Sequence, residues 1–392
     1  IDEAEGSHSG TMVRFVNAVA ERLEPRFPDV LFSTLAYTYT VQPPRHVRPR
    51  RNVVIYLCHM GGCDSHPIDR CEINRPFMDQ IAGWGAISPE VFVWDYYNNF
   101  HRYFQPYPNI DAIAADLRIM SEAGVTGFFA QGDAGPRKGP GDMAELRAWL
   151  LARLAWNPSL DAWEQVDEFC RLYYGPAAPM IREHLDALHE PARHPDVHVK
   201  LYDPADVPYV ASAVIDRCES ILDRAAVAVA DDPVLAERVA SARLPIELMQ
   251  WSGQLRYELT DSAFAPRAGA PLDRAVRFFA LAEARGAHGL AEGGERIEQL
   301  AGMLTTFDAV TVRSARLELT VVPDLGGRIG RFVDRARGID WMHQPPCSQV
   351  GFPNCGGYDE YTQAPWRSPG WCEHYACRAH DRPSVLTAPL AN

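Results

Sequence analysis

The sequence lacks several features that define large classes of protein. It has no apolar run of roughly 18 residues, so we expect no membrane span. Lysine is nearly absent, with only Lys138 and Lys200, and the formal net charge of -13 argues against nucleic acid as a partner. A P-loop, an H-E-x-x-H zinc motif and a G-x-S-x-G nucleophile elbow are also missing, and no G-x-G-x-x-G follows a strand-like stretch. These absences argue against several common enzyme classes.

The composition is that of a globular protein of more than one domain. A hydrophobic fraction of 47% and a charged fraction of 23% exclude a disordered or fibrous chain. The length of 392 residues exceeds what one compact core usually holds, so we predict two or three domains. The nine cysteines form no C-x-x-C pair. The cysteines could be buried free thiols, or they could form one or two disulfides in an exported protein.

Four strand-like stretches alternate with helix-like stretches through residues 1–157. We predict strands at 31–40, 53–60, 91–97 and 125–131, with helices at 12–26, 74–83, 109–123 and 142–156. Such alternation is typical of a parallel sheet. The strand ends are polar or aromatic, which favours a barrel, where chemistry lies at the carboxyl ends of the strands. The predicted fold class is α/β, a partial (β/α)8 (TIM) barrel of about four C-terminal βα units, and we expect the missing half to precede Ile1.

Two further regions follow the predicted half-barrel of residues 1–157. Residues 158–305 show helical periodicity throughout, which predicts a domain of five or six antiparallel helices. From residue 306 the pattern alternates with a period of two. Residues 306–392 are therefore predicted to begin an antiparallel β-sandwich that is truncated in this chain.

Polar and aromatic residues at the strand ends are the candidates for chemistry. Asp95 lies in WDYYNNF at the end of the third strand, where it could serve as acid, base or acceptor for a sugar hydroxyl, or could simply fix a turn. We expect Asp95 and the neighbouring Trp94 to meet the same sugar ring, since aromatic side chains stack on the apolar face of a pyranose. The predicted substrate-binding residues are Trp94, Tyr37, Tyr97, Asn98, His59 and Gln131.

The segment of residues 57–74, LCHMGGCDSHPIDRCEIN, is rich in histidine, cysteine and acids. It could be a metal site, a substrate loop close to a ligand, or a structural loop with buried cysteines. Because its spacings fit no compact metal motif, we expect no metal here and no cofactor in the protein.

Several long motifs between residues 7 and 190 carry a family resemblance. They include MVRFVNAVAERLEPRFPDVLFSTLAYTYTVQPP, VFVWDYYNNFHRYFQPYPNIDAIAADLRIMSEAGVTGFFAQG and EFCRLYYGPAAPMIREHLDALH. Together they resemble the domain of unknown function 4838, part of which is classed as glycoside hydrolase family 163. The resemblance implies a (β/α)8 barrel, endo-β-N-acetylglucosaminidase action on an oligosaccharide or glycan, and a periplasmic or extracellular location. The stretch VTVRSARLELTVVPDLGGRIGRFVDRARGIDWM separately resembles the start of a galactose-mutarotase-like β-sandwich.

The chain departs from the family pattern at two positions where relatives carry glutamates. Gly61 and Ala130 stand there instead. A glycosidase needs a proton donor for the leaving oxygen, and the candidates that could replace those glutamates are Asp64, Asp95 and Asp133. The alternative is a non-catalytic carbohydrate-binding relative that has lost the catalytic pair.

Overall fold

The computed structural model describes residues 2–132, 141–292, 296–302, 304–325 and 327–342, together with the backbone of residues 376–378 and 385–387. The chain divides into two compact units, Ile1–Ile246 and Glu247–Asn392. The first unit contains α1 (Asp2–Glu5), α2 (Ser9–Leu23), β1 (Phe32–Ala36), β2 (Val53–Cys58), α3 (Arg75–Gly85), β3 (Glu90–Tyr96), α4 (Ile110–Glu122), β4 (Gly127–Gln131), α5 (Ala144–Trp156), α6 (Ala162–Tyr174), α7 (Ala178–Ala192), α8 (Ser212–Ala228) and the start of α9 (Pro233–Gln254).

Strands β1 to β4 form one parallel sheet in which each strand pairs with the next one along the chain. Parallel neighbours need a crossover connection, and α3 and α4 supply it between β2, β3 and β4. The predicted parallel sheet and α/β class are therefore confirmed, while its membership of a barrel stays a prediction. All four strands end on the same side, which we call the carboxyl edge; it is formed by Ala36, Cys58, Tyr96 and Gln131.

The two faces of this sheet are covered to different extents. Side chains alternate between the faces along a strand, and in β3 they are alternately buried and half-buried. Asp95 lies on the buried side, which we call the covered face, and Trp94 lies on the other, which we call the open face. Leu35 of β1 and Phe129 of β4 are exposed on the open face by 42% and 43%, so this apolar surface is only partly shielded.

Helices α5 to α8 pack in sequence against one another, and α6 also packs on α4. At that contact the indole N–H of Trp163 donates to Asp111 Oδ1 at 2.7 Å. The first unit therefore continues well past residue 157, which the sequence predicts as the end of the barrel region.

The second unit begins within a region that the sequence predicts as helical throughout. That prediction is wrong at β5 (Tyr257–Leu259) and β6 (Ala263–Pro266), which form an antiparallel pair. The Thr260 hydroxyl accepts the Ala263 N–H at 3.0 Å and so closes the tight turn between the strands. Two strands this short carry too few residues for a period of two to stand out from the helical pattern around them.

The rest of the second unit has two helices before residue 306 and antiparallel strands after it, as the sequence predicts. Strands β8 to β11 form one antiparallel sheet in the order β11-β10-β9-β8. Its likeness to a mutarotase sandwich stays a prediction. The elements are α10 (Leu272–Ala284), α11 (Ile297–Gly302), β7 (Phe307–Asp308), β8 (Val310–Arg313), β9 (Leu317–Val322), β10 (Arg328–Asp334), β11 (Ile339–Asp340), β12 (Ala376–Arg378) and β13 (Val385–Thr387). None of the helices described above combines the length and apolar composition that crossing a bilayer requires.

Candidate active site at the carboxyl edge

Main-chain hydrogen bonds fix the residues at the carboxyl edge. His59 directly follows β2, and its backbone N–H donates to the carbonyl oxygen of Trp94 at 3.0 Å. The backbone N–H of Tyr97 donates to the carbonyl oxygen of Gln131 at 2.8 Å. The backbone on both sides of Asp95 is therefore fixed by the sheet, which sets the directions in which the side chains leave it.

Asp95 is buried on the covered face, with 4% of its surface exposed. Its Oδ1 accepts the N–H of Tyr96 at 2.9 Å and lies 3.1 Å from Nδ1 of His59. Its Oδ2 accepts the hydroxyl of Tyr97 at 2.9 Å. The expectation that Asp95 and Trp94 meet the same sugar ring is wrong, because adjacent residues of a strand point to opposite faces.

His59 is the cation of this arrangement. Its ring is buried and stacks on Phe77 of α3, with ring centroids 4.0 Å apart and an angle of 18° between the planes. Burial alone would lower the pKa of His59, but Asp95, Asp64 and Asp116 outweigh that effect and raise the pKa to about 9. His59 is therefore an imidazolium at neutral pH, with Nδ1–H donating to Asp95.

Asp64 lies in the loop after β2 and is less enclosed than Asp95. It is half-buried, its Oδ2 accepts the hydroxyl of Tyr107, and its backbone N–H donates to the carbonyl oxygen of Val199 at 2.8 Å. Burial raises the pKa of Asp64 to about 7, with Asp95 adding to the rise and His59 opposing it. Side-chain ligand atoms of His59, Asp64 and Asp95 all lie within 4.8 Å of one another. His59 and Asp95 form an ion pair, and Asp64 lies beside that pair. We therefore call the three residues an acid–imidazolium–acid cluster.

Two buried residues near this cluster are not revealed by the motif patterns of the sequence. Asp116 of α4 is 6% exposed, its Oδ1 accepts the N–H of Ile68 at 2.8 Å, and burial raises its pKa well above the usual range. Tyr107 is 1% exposed and donates to Asp64. The available signal for Asp116 is an acid within the apolar stripe of an amphipathic helix, where periodicity predicts a core residue.

On the open face, Trp94 has a fixed orientation. Its indole N–H donates to Oε1 of Gln131 at 2.7 Å, and its ring meets that of Phe129 edge-on, with centroids 4.6 Å apart and an interplanar angle of 77°. Trp94 and Gln131 are half-buried, so each keeps some surface for a ligand. Tyr37, just after β1, is 36% exposed.

Of the remaining predicted site residues, two are buried and one is not described. Tyr97 and Asn98 are buried, Tyr97 as a donor to Asp95 and Asn98 as the acceptor of the Asn99 backbone N–H at 2.9 Å. Asp133 lies outside the described residues. Gly61 is exposed with a φ of 78°, and Ala130 pairs in register with Asp95.

A second group of ligand-type side chains lies beside this site. It consists of Cys63, His66, Cys71 and His198. Five cysteines whose side chains the structure describes are buried and free, namely Cys58, Cys63, Cys71, Cys170 and Cys218. For these five, the interpretation as buried free thiols agrees with the structure.

The fold and the site define an α/β protein with a parallel sheet and a cluster of buried and half-buried acids at its carboxyl edge. Residues 1–186 match the family model described as Domain of unknown function (DUF4838). This match confirms the resemblance of the motifs to the domain of unknown function 4838, while their likeness to glycoside hydrolase family 163 stays a prediction. No curated protein and no solved structure matches the chain.

Proposed function

We propose that the protein acts on glycans that contain N-acetylglucosamine, as a glycoside hydrolase of the endo-β-N-acetylglucosaminidase type. The observation that carries this proposal is the fixed aromatic platform of Trp94 and Phe129 at the carboxyl edge, beside the end of β2 where the loop that carries Asp64 begins. A glycan lying across this edge would stack one sugar on the open face and bring its glycosidic bond towards the loop after β2. Because complex glycans are mainly outside the cytoplasm, the proposal includes a periplasmic or extracellular location.

The platform suits a pyranose ring for physical reasons. The C–H groups on one side of such a sugar form an apolar patch that packs on an aromatic ring. Trp94 cannot turn freely, because Gln131 holds its N–H and Phe129 supports its ring. Gln131 uses its Oε1 to accept the Trp94 N–H, and its position in the register puts it on the same face, so its amide NH2 group could donate to sugar hydroxyls there.

Asp64 is the best placed of the described acids to donate a proton. Asp95 is surrounded by three donors and is nearly closed to solvent, whereas Asp64 is half-buried and accepts only the Tyr107 hydroxyl among the side-chain bonds described. In the proposed step the Asp64 carboxyl gives its proton to the glycosidic oxygen as the bond from that oxygen to C1 breaks. The substrate's own acetamido oxygen bonds to C1, and water later opens the resulting ring.

Asp95 and His59 would act as positioning residues in this reaction. Their ion pair joins the end of β3 to the start of the loop that carries Asp64, and Phe77 holds the imidazolium from α3. A rigid support matters, since a displacement of about 1 Å at a reacting group can lower a rate roughly 100-fold.

The alternative is a carbohydrate-binding protein without turnover. It is favoured by Gly61 and Ala130, which stand where the resemblance places catalytic glutamates. The platform on the open face would serve such a protein equally well, because stacking on Trp94 needs no proton donor.

One assay separates these functions. The whole chain is incubated with a fluorescently labelled complex N-glycan, and binding and release are both followed. Release is expected, with Asp64→Asn lowering its rate by about 100-fold or more. Asp79→Asn, which changes an exposed acid of α3, should leave the rate unchanged and serves as the matched control. Binding without release supports the alternative, and a glycan that is neither bound nor cut contradicts both.

A further inference from the structure

Four metal-ligand side chains converge beside the acid cluster, on a set of residues distinct from it. Their ligand atoms all lie within 4.8 Å of one another. Sγ of Cys63 lies 3.3 Å from Nδ1 of His66 and 3.3 Å from Nδ1 of His198, while Sγ of Cys71 lies 3.8 Å from Nδ1 of His198. In a tetrahedral zinc site, zinc–sulfur and zinc–nitrogen bond lengths imply sulfur–nitrogen separations of about 3.6 Å. The observed separations bracket this value.

The chemistry of the four donors selects the metal. Two thiolates and two imidazoles are the ligand set of tetrahedral structural zinc sites. Four protein ligands complete the coordination of such an ion and leave no open position for a substrate or water. The two thiolates also neutralise the charge of a divalent cation, which suits a site whose cysteines are buried.

The surrounding loops are already built around these residues. The side chain of Asn74 holds the loop after β2 through both backbone polar groups of Cys63. It accepts the Cys63 N–H at 2.7 Å and donates to the Cys63 carbonyl oxygen at 2.8 Å. The loop after α7 lies against it, with the N–H of Asp64 donating to Val199 and the hydroxyl of Ser65 donating to Val197 at 3.4 Å. The backbone therefore presents the donors from two loops without further rearrangement.

We propose that Cys63, His66, Cys71 and His198 bind one zinc ion as a closed structural site that fastens the loop after β2 to the loop after α7. The sequence by itself predicts no metal here, because the spacing of the loop residues fits no compact motif. The fourth donor is the reason for the difference, because His198 lies 127 residues after Cys71 and joins the group only in the folded chain.

Elemental analysis of the whole purified chain tests the site directly. We expect about one equivalent of zinc per chain, retained through gel filtration and released when the thiols are blocked with a mercurial. Cys63→Ala and His198→Gln should each lose nearly all of it. Cys170→Ala, which changes a buried cysteine of α6, and His194→Gln, which changes an exposed histidine of the same loop, should keep it.

Replacement of zinc by cobalt keeps the test decisive if a variant does not fold. In the unmodified chain, cobalt should give the intense visible bands of tetrahedral coordination and a thiolate charge-transfer band. Octahedral cobalt spectra, zinc retained equally in Cys63→Ala and His198→Gln, or a metal-free chain with a Cys63–Cys71 disulfide would each overturn the proposal. None of these measurements depends on glycan binding or cleavage. They can therefore disprove the zinc site without bearing on the proposed function.

Discussion

Asp95 and Trp94 are neighbours in β3, yet their side chains lie on opposite faces of the parallel sheet. Asp95 points to the covered face, where it neutralises the buried imidazolium of His59. Trp94 points to the open face, where part of its ring can meet a ligand. The same strand therefore supports the structure with one residue and, in our proposal, binds the glycan with the next.

Asp95→Asn should destabilise the fold. The substitution leaves the buried charge of His59 without its main partner, and breaking a buried ion pair from one side costs about 3 kcal/mol or more. Urea unfolding at neutral pH measures the loss. Asp79→Asn, at an exposed position, should stay within about 0.5 kcal/mol of the unmodified protein. Unchanged stability of Asp95→Asn together with lost glycan cleavage would instead make Asp95 a catalytic residue.

Trp94→Ala should weaken glycan binding while leaving the fold intact. Losing a stacked sugar contact of about 1.5 kcal/mol corresponds to roughly a tenfold higher Kd. Titration with an N-acetylglucosamine oligosaccharide, followed by calorimetry, gives the Kd directly. Trp156→Ala is the matched control, since Trp156 is 91% exposed at the end of α5. Equal Kd values for the two variants would remove the open face as the binding surface.

The sequence predicts the elements of the sheet well because their periodicity is local. The strand predicted at 91–97 is observed at Glu90–Tyr96, and the helix predicted at 109–123 is observed at Ile110–Glu122. The spacing of apolar residues within each element, and the turn residues between elements, are sufficient to locate these strands and helices.

The arrangement of the site was less accessible from sequence. WDYYNNF shows that polar and aromatic residues gather at a strand end, but which of them faces the helices depends on how the sheet is packed. Asp116 and His198 reach the region from α4 and from the loop after α7, and no pattern in the chain links either to His59 or Cys63. Contacts between residues far apart in sequence are set by tertiary packing alone.

The stability of the protein should depend on His59 at alkaline pH. Its pKa is about 9 in the folded protein and near 6.5 when unfolded, so its contribution is complete below pH 6.5 and is lost as the pH rises through 9. Each pH unit in that window costs up to about 1.4 kcal/mol. His59→Gln should flatten this part of the profile of unfolding free energy against pH. His194→Gln, an exposed control, should follow the unmodified protein, and identical slopes for all three would contradict the assignment.

His184 of α7 should make the protein sensitive to acid. It is fully buried, neither ring nitrogen has a hydrogen-bond partner among the described residues, and burial lowers its pKa to about 3. Below pH 6.5 His184 becomes protonated in the unfolded chain but stays neutral in the folded protein. The free energy of unfolding is therefore unaffected by His184 above pH 6.5 and decreases as the pH falls towards 3.

His184→Leu should remove that sensitivity. The replacement fills a similar volume without polar atoms, so stability at pH 7 should be unchanged or higher. Urea midpoints at pH 7 and pH 4.5 compare the variant with the unmodified protein. An equal drop in midpoint for both proteins would show that other groups cause the acid sensitivity.

Hydrogen exchange of the whole chain with and without a complex N-glycan tests whether a glycan binds at the carboxyl edge, because it locates the bound sugar without any substitution. We expect slower exchange of backbone amides in residues 92–98, in residues 127–132 and in the loop that carries Asp64. Unchanged exchange in all three segments at a saturating glycan concentration, or protection confined to the second unit, would contradict it.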